Sequence, residues 1–263
     1  MSMTSLSTMN IQPISQPISG RVRVPGSKSQ TNRTLMVAAL ADGTTKIHNA
    51  LFSDDSHYFA EALRILGFDI QLDPQTKTMT LTGQAGHIPS KQANLLIGNA
   101  GTAARFLTAM LTLGHGEYHL DGVKRMRQRP IMHLVTALNK LGAQIEAASG
   151  CPPVHIHARG LAGGTTSVHG NVSSQFLSGL LMAAPYAQTS VDIEVQGPLH
   201  SKPYIDLTLG VMADFGVQVQ REGYLHFHID PQAYSAIEDY PIESDASAAS
   251  YFFAAAALCG GWL

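Results

Sequence analysis

Four short segments of this sequence, each just before an apolar stretch, supply cations, hydroxyl groups and glycines between them. They are PGSKSQTNR (25–33), GNAGTAAR (98–105), RMRQRP (125–130) and SSQF (173–176). An anion held at such a segment meets backbone N–H groups, hydroxyls and side-chain cations together. The pattern therefore predicts a site for a small, strongly anionic molecule, with solvated helix caps and surface charges as the ordinary alternative.

The first segment has the richest set of such groups. Pro25 and Gly26 end a predicted strand, and Ser27 or Ser29 can cap the helix that follows. Lys28 and Arg33 then lie near the helix start, whose free N–H groups and dipole favour an anion. The glycine and lysine spacing of a P-loop is absent.

The other segments repeat this design with different groups. Thr102 is predicted to cap a second helix, and Gly101 lets backbone approach a ligand. Pro130 is expected in the first turn of another helix, after three arginines of which at least one is an ordinary surface residue. In the segment SKPY (201–204), Lys202 and Tyr204 are expected to line a cleft, or Tyr204 simply to pack.

Carboxylates and histidines offer a weaker signal. Asp55 and Asp245 stand at predicted helix starts, where acids are favoured by the dipole, so capping is the default and acid–base chemistry the alternative. The His-x-His pairs at 155–157 and 226–228 lie in alternating strands without a ligand at metal-binding spacing. We expect them on an exposed face and predict no metal site.

Composition narrows the class of protein. The chain has 263 residues, 44% hydrophobic and 14% charged, with a formal net charge of −2, which is typical of a globular protein rather than a nucleic-acid binder. Residues 1–20 carry neither Lys nor Arg and no apolar core of a signal peptide. Cys151 and Cys259 are expected as buried small side chains in a reducing compartment. We therefore expect a cytoplasmic protein that uses neither membrane nor nucleic acid.

The elements that position these groups repeat along the chain. A polar turn running into an apolar helix begins at Ser27, Ala100, Val172 and Asp245, which are 73, 72 and 73 residues apart. A fixed long period is typical of a repeated supersecondary unit.

A second helix in each unit ends at a glycine, at Gly67, Gly142 and Gly216, the residue best suited to a left-handed C-cap. Two strands follow each of these helices, so the unit reads βαβαββ, and three units run from about 21 to 230. The fourth copy stops soon after its helix, from which we expect the chain to be part of a longer one; a short extra helix capping a three-unit domain is the alternative.

The motifs PGSKSQTNR, NAGTAAR, RMRQRPI, SSQF, SKPYID and ESDASAASYF, in this order and spacing, resemble the 5-enolpyruvylshikimate-3-phosphate (EPSP) synthase family, the target of glyphosate. The resemblance covers essentially the whole chain. It implies an α/β (α+β) fold of the enolpyruvyl transferase type, an inside-out α/β barrel built of βαβαββ repeats. It also implies transfer of the enolpyruvyl group of phosphoenolpyruvate to the 5-hydroxyl of shikimate 3-phosphate, by addition and elimination through a tetrahedral ketal, in the shikimate pathway of aromatic amino-acid biosynthesis. No cofactor is implied, and the full-length protein is expected to be a monomer.

The resemblance also assigns residues. It implies shikimate 3-phosphate ligands at Lys28, Ser29, Arg33, Ser173, Ser174, Gln175, Ser201 and Tyr204. It implies phosphoenolpyruvate ligands at Lys28, Asn99, Gly101, Thr102, Arg105, Arg129 and Gln175. The catalytic candidates are Lys28, Asp55 and Asp245.

The family pattern sets the expected domains. Residues 27–242 form one complete domain of three repeats (about 27–97, 98–169 and 170–242), and residues 1–26 and 243–263 belong to a second, incomplete domain. The family's other acid–base carboxylates and several clamping cations lie in the following part of its chains. We therefore expect this chain alone to bind shikimate 3-phosphate weakly and not to turn over.

Phe106 and Ala104 stand where many members have Pro and Met, so sensitivity to glyphosate does not follow from the resemblance.

Two alternatives remain. UDP-N-acetylglucosamine enolpyruvyl transferase has the same implied fold and chemistry, but its Lys-Asn start and reactive loop cysteine are missing here. A non-catalytic anion-binding half-protein is the alternative from another class of protein.

Overall fold

The computed structural model describes residue 10 and residues 12–263, so predictions that fall on residues 1–9 and 11 lie outside it. The described chain divides into two compact units. The larger is Gly26–Glu243, and the smaller combines the described residues up to Pro25 with Ser244–Leu263. No helix in the described ranges is both long and apolar enough to cross a membrane.

Helices are interspersed with strands along the chain, as the α/β prediction requires. In order they are β1 (Ile18–Ser19), α1 (Lys28–Leu40), β2 (Asp42–His48), α2 (Asp54–Ile65), β3 (Asp69–Asp73), β4 (Thr78–Gln84), β5 (Gln92–Leu96), α3 (Gly101–Leu111), β6 (His115–Asp121), α4 (Met132–Lys140), β7 (Ile145–Glu146), β8 (Val154–Arg159), β9 (Gly164–His169), α5 (Ser174–Ala183), β10 (Val191–Gln196), α6 (Lys202–Asp214), β11 (Gln220–Glu222), β12 (His226–Ile229), β13 (Asp239–Pro241), α7 (Ala246–Cys259) and β14 (Gly261–Trp262). β1, α7 and β14 belong to the smaller unit, in which β1 and β14 pair in parallel.

The larger unit contains three four-stranded sheets with the same strand pattern. Their orders are β13-β2-β4-β3, β5-β6-β8-β7 and β9-β10-β12-β11. In each sheet the first pair is parallel and the other pairs are antiparallel. A parallel pair needs a crossover connection, which α3 and α5 supply in the second and third sheets.

The first sheet corrects one sequence-based prediction. The strand expected to end at Pro25 does not form; residues 21–24 are irregular, and the first position of the sheet is filled by β13. Burial explains the choice, because Tyr240 and Ile242 are 6% and 3% exposed whereas Val22 is 45% exposed. Apolar alternation alone does not distinguish these two segments, since only one packs against the helices.

Helices occupy the interior of this unit and the sheets surround them. In α1, α3 and α5 nearly every side chain is buried, whereas α2, α4 and α6 each bury one face. Most strands alternate buried residues with half-buried or exposed ones, as β4 does, so one face of each sheet covers the helices and the other meets solvent. The N-terminal ends of α1, α3, α5 and α6 carry most of the predicted site residues.

The predicted helix ends are confirmed. Gly67, Gly142 and Gly216 follow the C-caps of α2, α4 and α6 with φ of 91°, 92° and 91°. L side chains are disfavoured at such angles, so glycine here stops each helix and turns the chain toward the next strand.

Candidate functional site

A cleft of about 360 Å³ opens at four helix starts of the larger unit. Its lining residues come from or adjoin the first turns of α1, α3, α5 and α6: Lys28, Ser29, Arg33, Thr102, Val172, Ser173, Ser174, Gln175, Ser201 and Tyr204. Of these described lining residues two are cations and none is acidic. A cleft of positive charge within a chain of net charge −2 is suited to a small anion.

The start of α1 supplies the cations. Ser27 is the N-cap and its hydroxyl accepts a hydrogen bond from the Gln30 N–H at 3.3 Å, which confirms one of the two predicted caps. Lys28 is then the first helical residue and is exposed, and Ser29 is half-buried beside it. Capping from Ser27 therefore leaves the Lys28 and Ser29 side chains to line the cleft.

Arg33 lies one turn further along α1 and is only 2% exposed, although it lines the cleft. Its Nε donates to the Thr208 hydroxyl at 2.7 Å and its Nη1 to the Ser29 carbonyl at 2.8 Å. Its Nη2 donates to the Ser178 hydroxyl and the Tyr204 carbonyl, both at 3.1 Å. Burial lowers the pKa of this guanidinium to about 10.

Sequence reasoning missed Ser178 and Thr208, which are fully buried in α5 and α6. A signal was present: each stands four residues after a predicted site residue, Ser174 and Tyr204, and therefore on the same helix face. The prediction did not use it, because a lone hydroxyl in an apolar helix usually bonds only to its own backbone.

The start of α5 faces that of α3. Ser173 is the N-cap of α5, and its hydroxyl accepts from the Gln175 N–H at 3.2 Å. The Gln175 side-chain amide donates to the Thr102 hydroxyl at 3.2 Å. This bond joins the two helix starts across 73 residues of sequence and holds Gln175 at the cleft.

The start of α3 corrects a second prediction. Its N-cap is Ala100, which has no side-chain cap, and Thr102 lies inside the first turn. The predicted cap was wrong because the chain turns into the helix at Gly101, two residues earlier than a Thr102 cap requires. The Thr102 hydroxyl is consequently available to Gln175.

Arg129 lies against this helix start. Its Nη1 donates to the Asn99 carbonyl at 3.0 Å, and a Cβ atom added to Gly101 would lie 2.2 Å from its Nη2. Glycine is thus required at Gly101 for this close approach. Asn99, Gly101 and Arg129 form a second group of predicted residues next to Thr102, outside the lining of the cleft. We call this group the Arg129 cluster.

The loop that carries Arg129 corrects a third prediction. α4 begins at Met132 after an Ile131 N-cap, so Pro130 precedes the helix instead of entering its first turn. Of the three arginines, Arg127 pairs with Asp121 and Arg125 donates to Gln128 at 3.3 Å, so both have partners away from the cluster.

Arg105 lies beneath the Arg129 cluster. It is 4% exposed, and its guanidinium donates to the carbonyls of Gly101 at 3.0 Å and Pro130 at 2.8 Å. Its buried Nε has no partner in the part of the chain that the structure describes. Burial, followed by repulsion from Arg129, lowers the pKa of Arg105 to about 10. Arg105 thus contacts the loop before α4 and does not line the cleft.

The start of α6 contributes Ser201 and Tyr204. Ser201 is the N-cap with φ of 57° and ψ of 42°, a left-handed conformation that costs free energy for a serine, and its hydroxyl makes no cap bond. Lys202 turns away from the cleft, and its Nζ lies 5.1 Å from the centre of the Tyr224 ring. The cleft prediction was therefore wrong for Lys202, whereas Tyr204 lines the cleft as expected.

The carboxylate candidates lie elsewhere. Asp55 is in the first turn of α2, behind a capping box made by Ser53 and Ser56, and does not line the cleft. Asp245 belongs to the smaller unit, where its side chain caps α7 by accepting from the Ala248 N–H at 3.0 Å. Capping accounts for the position of Asp245.

The histidine pairs lie on the solvent faces of two sheets, as expected, with cross-strand carboxylates that spacing in sequence did not reveal. His157 contacts Glu117 at 2.5 Å, and His226 and His228 contact Asp192 at 3.0 and 2.9 Å. Over the described residues, no group of three or more His, Cys, Asp or Glu could hold a metal ion.

Cys151 and Cys259 are unpaired and half-buried, so the expected full burial of both was wrong.

Comparison with known proteins adds independent findings. A family model described as EPSP synthase (3-phosphoshikimate 1-carboxyvinyltransferase) matches residues 12–263. A 3-phosphoshikimate 1-carboxyvinyltransferase from Trichormus variabilis is 51% identical over 259 residues, which is 97% of this chain and 61% of the relative. The chain thus spans about 61% of the length of the curated relatives it matches.

Two solved structures share the fold. An EPSP synthase from Acinetobacter baumannii superposes with a TM-score of 0.83 at 28% identity, over 95% of this chain and 55% of that one. The enolpyruvyl transferase NikO from Streptomyces tendae superposes with a TM-score of 0.67 at 19% identity, over 88% of this chain and 53% of that one, which is a likeness of fold alone. The predicted enolpyruvyl transferase fold is confirmed.

Proposed function

The chain belongs to the EPSP synthase family, and from that premise we propose that the whole protein transfers the enolpyruvyl group of phosphoenolpyruvate to the 5-hydroxyl of shikimate 3-phosphate. The hydroxyl loses its proton as its oxygen bonds to C2 of phosphoenolpyruvate, and C3 gains a proton. The C2–O bond to phosphate then breaks, phosphate leaves and C3 loses a proton. The observation that carries the proposal is the cleft in which Lys28, Arg33, Gln175 and four serines converge without an acidic residue among its described lining.

The two groups of residues fit two anionic substrates. The cleft suits shikimate 3-phosphate, because Lys28, Arg33 and the hydroxyls of Ser29, Ser173 and Ser174 match a carboxylate, a phosphate and several hydroxyls. The Arg129 cluster suits phosphoenolpyruvate, because its guanidinium lies where backbone approaches closely at Gly101. The Gln175–Thr102 bond connects the two, which supports the proposed bridging role of Gln175.

Roles are proposed for the remaining candidates accordingly. Lys28, the exposed cation at the helix start, is proposed to contact both substrates and stabilise the charge that develops in the transition state. Arg105 is proposed to support Arg129 through the Pro130 carbonyl. Asp55 and Asp245 stay proposals as acid–base groups.

Residues 27–242 are proposed as one complete domain, and residues 1–26 and 243–263 as part of another, which the greater length of the relatives supports.

The proposal includes a monomeric whole protein in the cytoplasm. Two unpaired cysteines in the described chain agree with a reducing compartment. The molar mass of the whole protein, measured by size-exclusion chromatography with light scattering, tests whether it is a monomer.

Calorimetric titration of this 263-residue chain with shikimate 3-phosphate tests the substrate. Lys28 and Lys202 are both first residues of helices, but only Lys28 lines the cleft. We expect Lys28→Gln to weaken binding at least about tenfold and Lys202→Gln to leave it unchanged, since a charged hydrogen bond contributes about 1.5–3 kcal/mol. Equal effects of the two changes, or tighter binding of UDP-N-acetylglucosamine, would contradict the proposal.

Turnover separates the proposal from a non-catalytic anion-binding protein. With both substrates, this chain alone is expected to release no phosphate. The remaining part of the Trichormus variabilis relative, supplied as a separate chain or fused to this one, is expected to restore phosphate release. Binding without release in both forms would favour the non-catalytic alternative, and release from this chain alone would contradict its expected inactivity.

A further inference from the structure

Ser178 and Thr208 form, with Arg33, a closed hydrogen-bond network behind the cleft. The two hydroxyls are 2.8 Å apart and fully buried, and each accepts from a different nitrogen of Arg33. The network connects α1, α5 and α6, three of the four helices whose starts line the cleft.

Counting donors and acceptors determines the direction of every bond. The Thr208 hydroxyl donates to the Tyr204 carbonyl at 2.7 Å, so its two lone pairs accept from Arg33 Nε and from the Ser178 hydroxyl. Ser178 therefore donates to Thr208 and accepts from Arg33 Nη2. Thr208 thus uses its donor and both lone pairs, and Ser178 uses its donor and one lone pair. Neither hydroxyl can rotate without breaking a bond in a buried place.

The surroundings of Arg33 are neutral. Its guanidinium carbon lies 5.4 Å from the centre of the Phe106 ring and 5.9 Å from that of Tyr204. Its hydrogen-bond partners in the described chain are two hydroxyls and two carbonyls, with no carboxylate. Since no carboxylate compensates this buried positive charge, an anion that binds in the cleft can do so.

The orientation leaves one N–H for that anion. A guanidinium has five N–H groups, and the four bonds of Arg33 occupy four of them. The remaining N–H is on Nη1, because Nη1 makes one bond and Nη2 two. Losing the acceptor for Nε would free the guanidinium to rotate and would misdirect this group.

We propose that Ser178 and Thr208 are positioning residues that hold Arg33 so that its one remaining N–H points at the anionic group of the bound substrate. The identity of that substrate rests on the proposed function. The positioning itself does not, since it concerns only the geometry of Arg33 in this chain.

The test compares matched threonine changes. Thr208→Val removes the acceptor for Arg33, Thr208→Ser keeps it, and Ser178→Ala removes the second hydroxyl. Thr108→Val is the control, because Thr108 is equally buried and its hydroxyl also donates to the carbonyl four residues back, that of Ala104, at 2.7 Å. Among the described residues it makes no hydrogen bond to an arginine. The readouts are the affinity for shikimate 3-phosphate by calorimetry and the Arg33 Nε–H resonance by NMR, assigned with Arg33→Lys.

We expect Thr208→Val to weaken binding about tenfold, to shift the Arg33 Nε–H resonance and to increase the exchange of this proton with solvent. Ser178→Ala should have the same effects to a smaller extent. Thr208→Ser and Thr108→Val should match the parent chain in both. An unchanged Arg33 resonance and affinity in Thr208→Val, or equal losses in Thr108→Val, would overturn the inference.

Failure of the parent chain to bind shikimate 3-phosphate would instead count against the proposed function. The Arg33 resonance would still decide the positioning: loss of its protection in Thr208→Val alone would support it, and retention would overturn it.

Discussion

Arg33 and Arg105 lie near two copies of one helix start, as the sixth residue of α1 and the fifth of α3, and their surroundings differ. Each donates through Nη1 to the carbonyl four residues back in its own helix, at 2.8 and 3.0 Å. Each lies over an aromatic ring of a neighbouring helix, Phe106 at 5.4 Å and Phe176 at 5.8 Å. The repeat has therefore placed both guanidiniums in the same local setting.

The neighbours differ. Around Arg33, α5 and α6 supply hydroxyls that satisfy Nε and Nη2, and the side chain lines the cleft. Around Arg105 the nearby acceptor is a loop carbonyl, Nε is left without a partner in the described chain, and Arg129 presents the cation instead. The comparison teaches that a repeat reproduces roughly where a side chain lies, whereas the groups packed against it decide whether it lines a cleft or contacts a loop.

Removing each arginine is the strongest way to break the comparison. We expect Arg33→Met to lower the affinity for shikimate 3-phosphate by about 100-fold, because a buried, hydrogen-bonded cation facing an anion is lost. Arg105→Met should change it by less than about threefold, since the change also removes a buried Nε that has no partner. Calorimetry on this chain measures both, and equal losses would show that the two arginines act alike.

A methyl group at Gly101 tests the Arg129 cluster. Gly101→Ala would place Cβ 2.2 Å from Arg129 Nη2, so the guanidinium must move. We expect the affinity for phosphoenolpyruvate, measured with shikimate 3-phosphate present, to fall about tenfold while the affinity for shikimate 3-phosphate is kept. Gly210→Ala in α6 is the control, because a Cβ there meets open space. If only the affinity for shikimate 3-phosphate fell, the proposed assignment of the Arg129 cluster to phosphoenolpyruvate would be wrong.

The smallest expected effect concerns the caps. Ser27→Ala gives α1 the uncapped start that α3 already has at Ala100. We expect the free energy of unfolding to fall by about 1 kcal/mol, measured by urea denaturation. Ser149→Ala, at an exposed turn, should cost less. An unchanged midpoint for Ser27→Ala would mean that packing alone holds the start of α1.

Local features were predictable because they depend on residues close together in the chain. The Ser27 cap, the glycine after each second helix and the 73-residue spacing all follow from nearby residue types. Predictions failed where two local solutions competed. By residue type Thr102 is the better cap, yet α3 begins after Ala100, and Pro130 suits a first turn although α4 begins two residues later. Propensity cannot rank such alternatives when tertiary packing differs between them.

By itself the sequence determined the α/β repeat, the helix starts that carry the cations, and the family to which the chain belongs. Only the tertiary structure decided that β13 completes the first sheet, that Lys202 faces Tyr224, and that Ser178 and Thr208 hold Arg33. The most distant of these contacts join residues 193 positions apart, as between Asp239 of β13 and Lys46 of β2. The physical reason is that burial and hydrogen-bond satisfaction depend on which segments meet, and this is specified by the packing of the whole unit rather than by any local pattern.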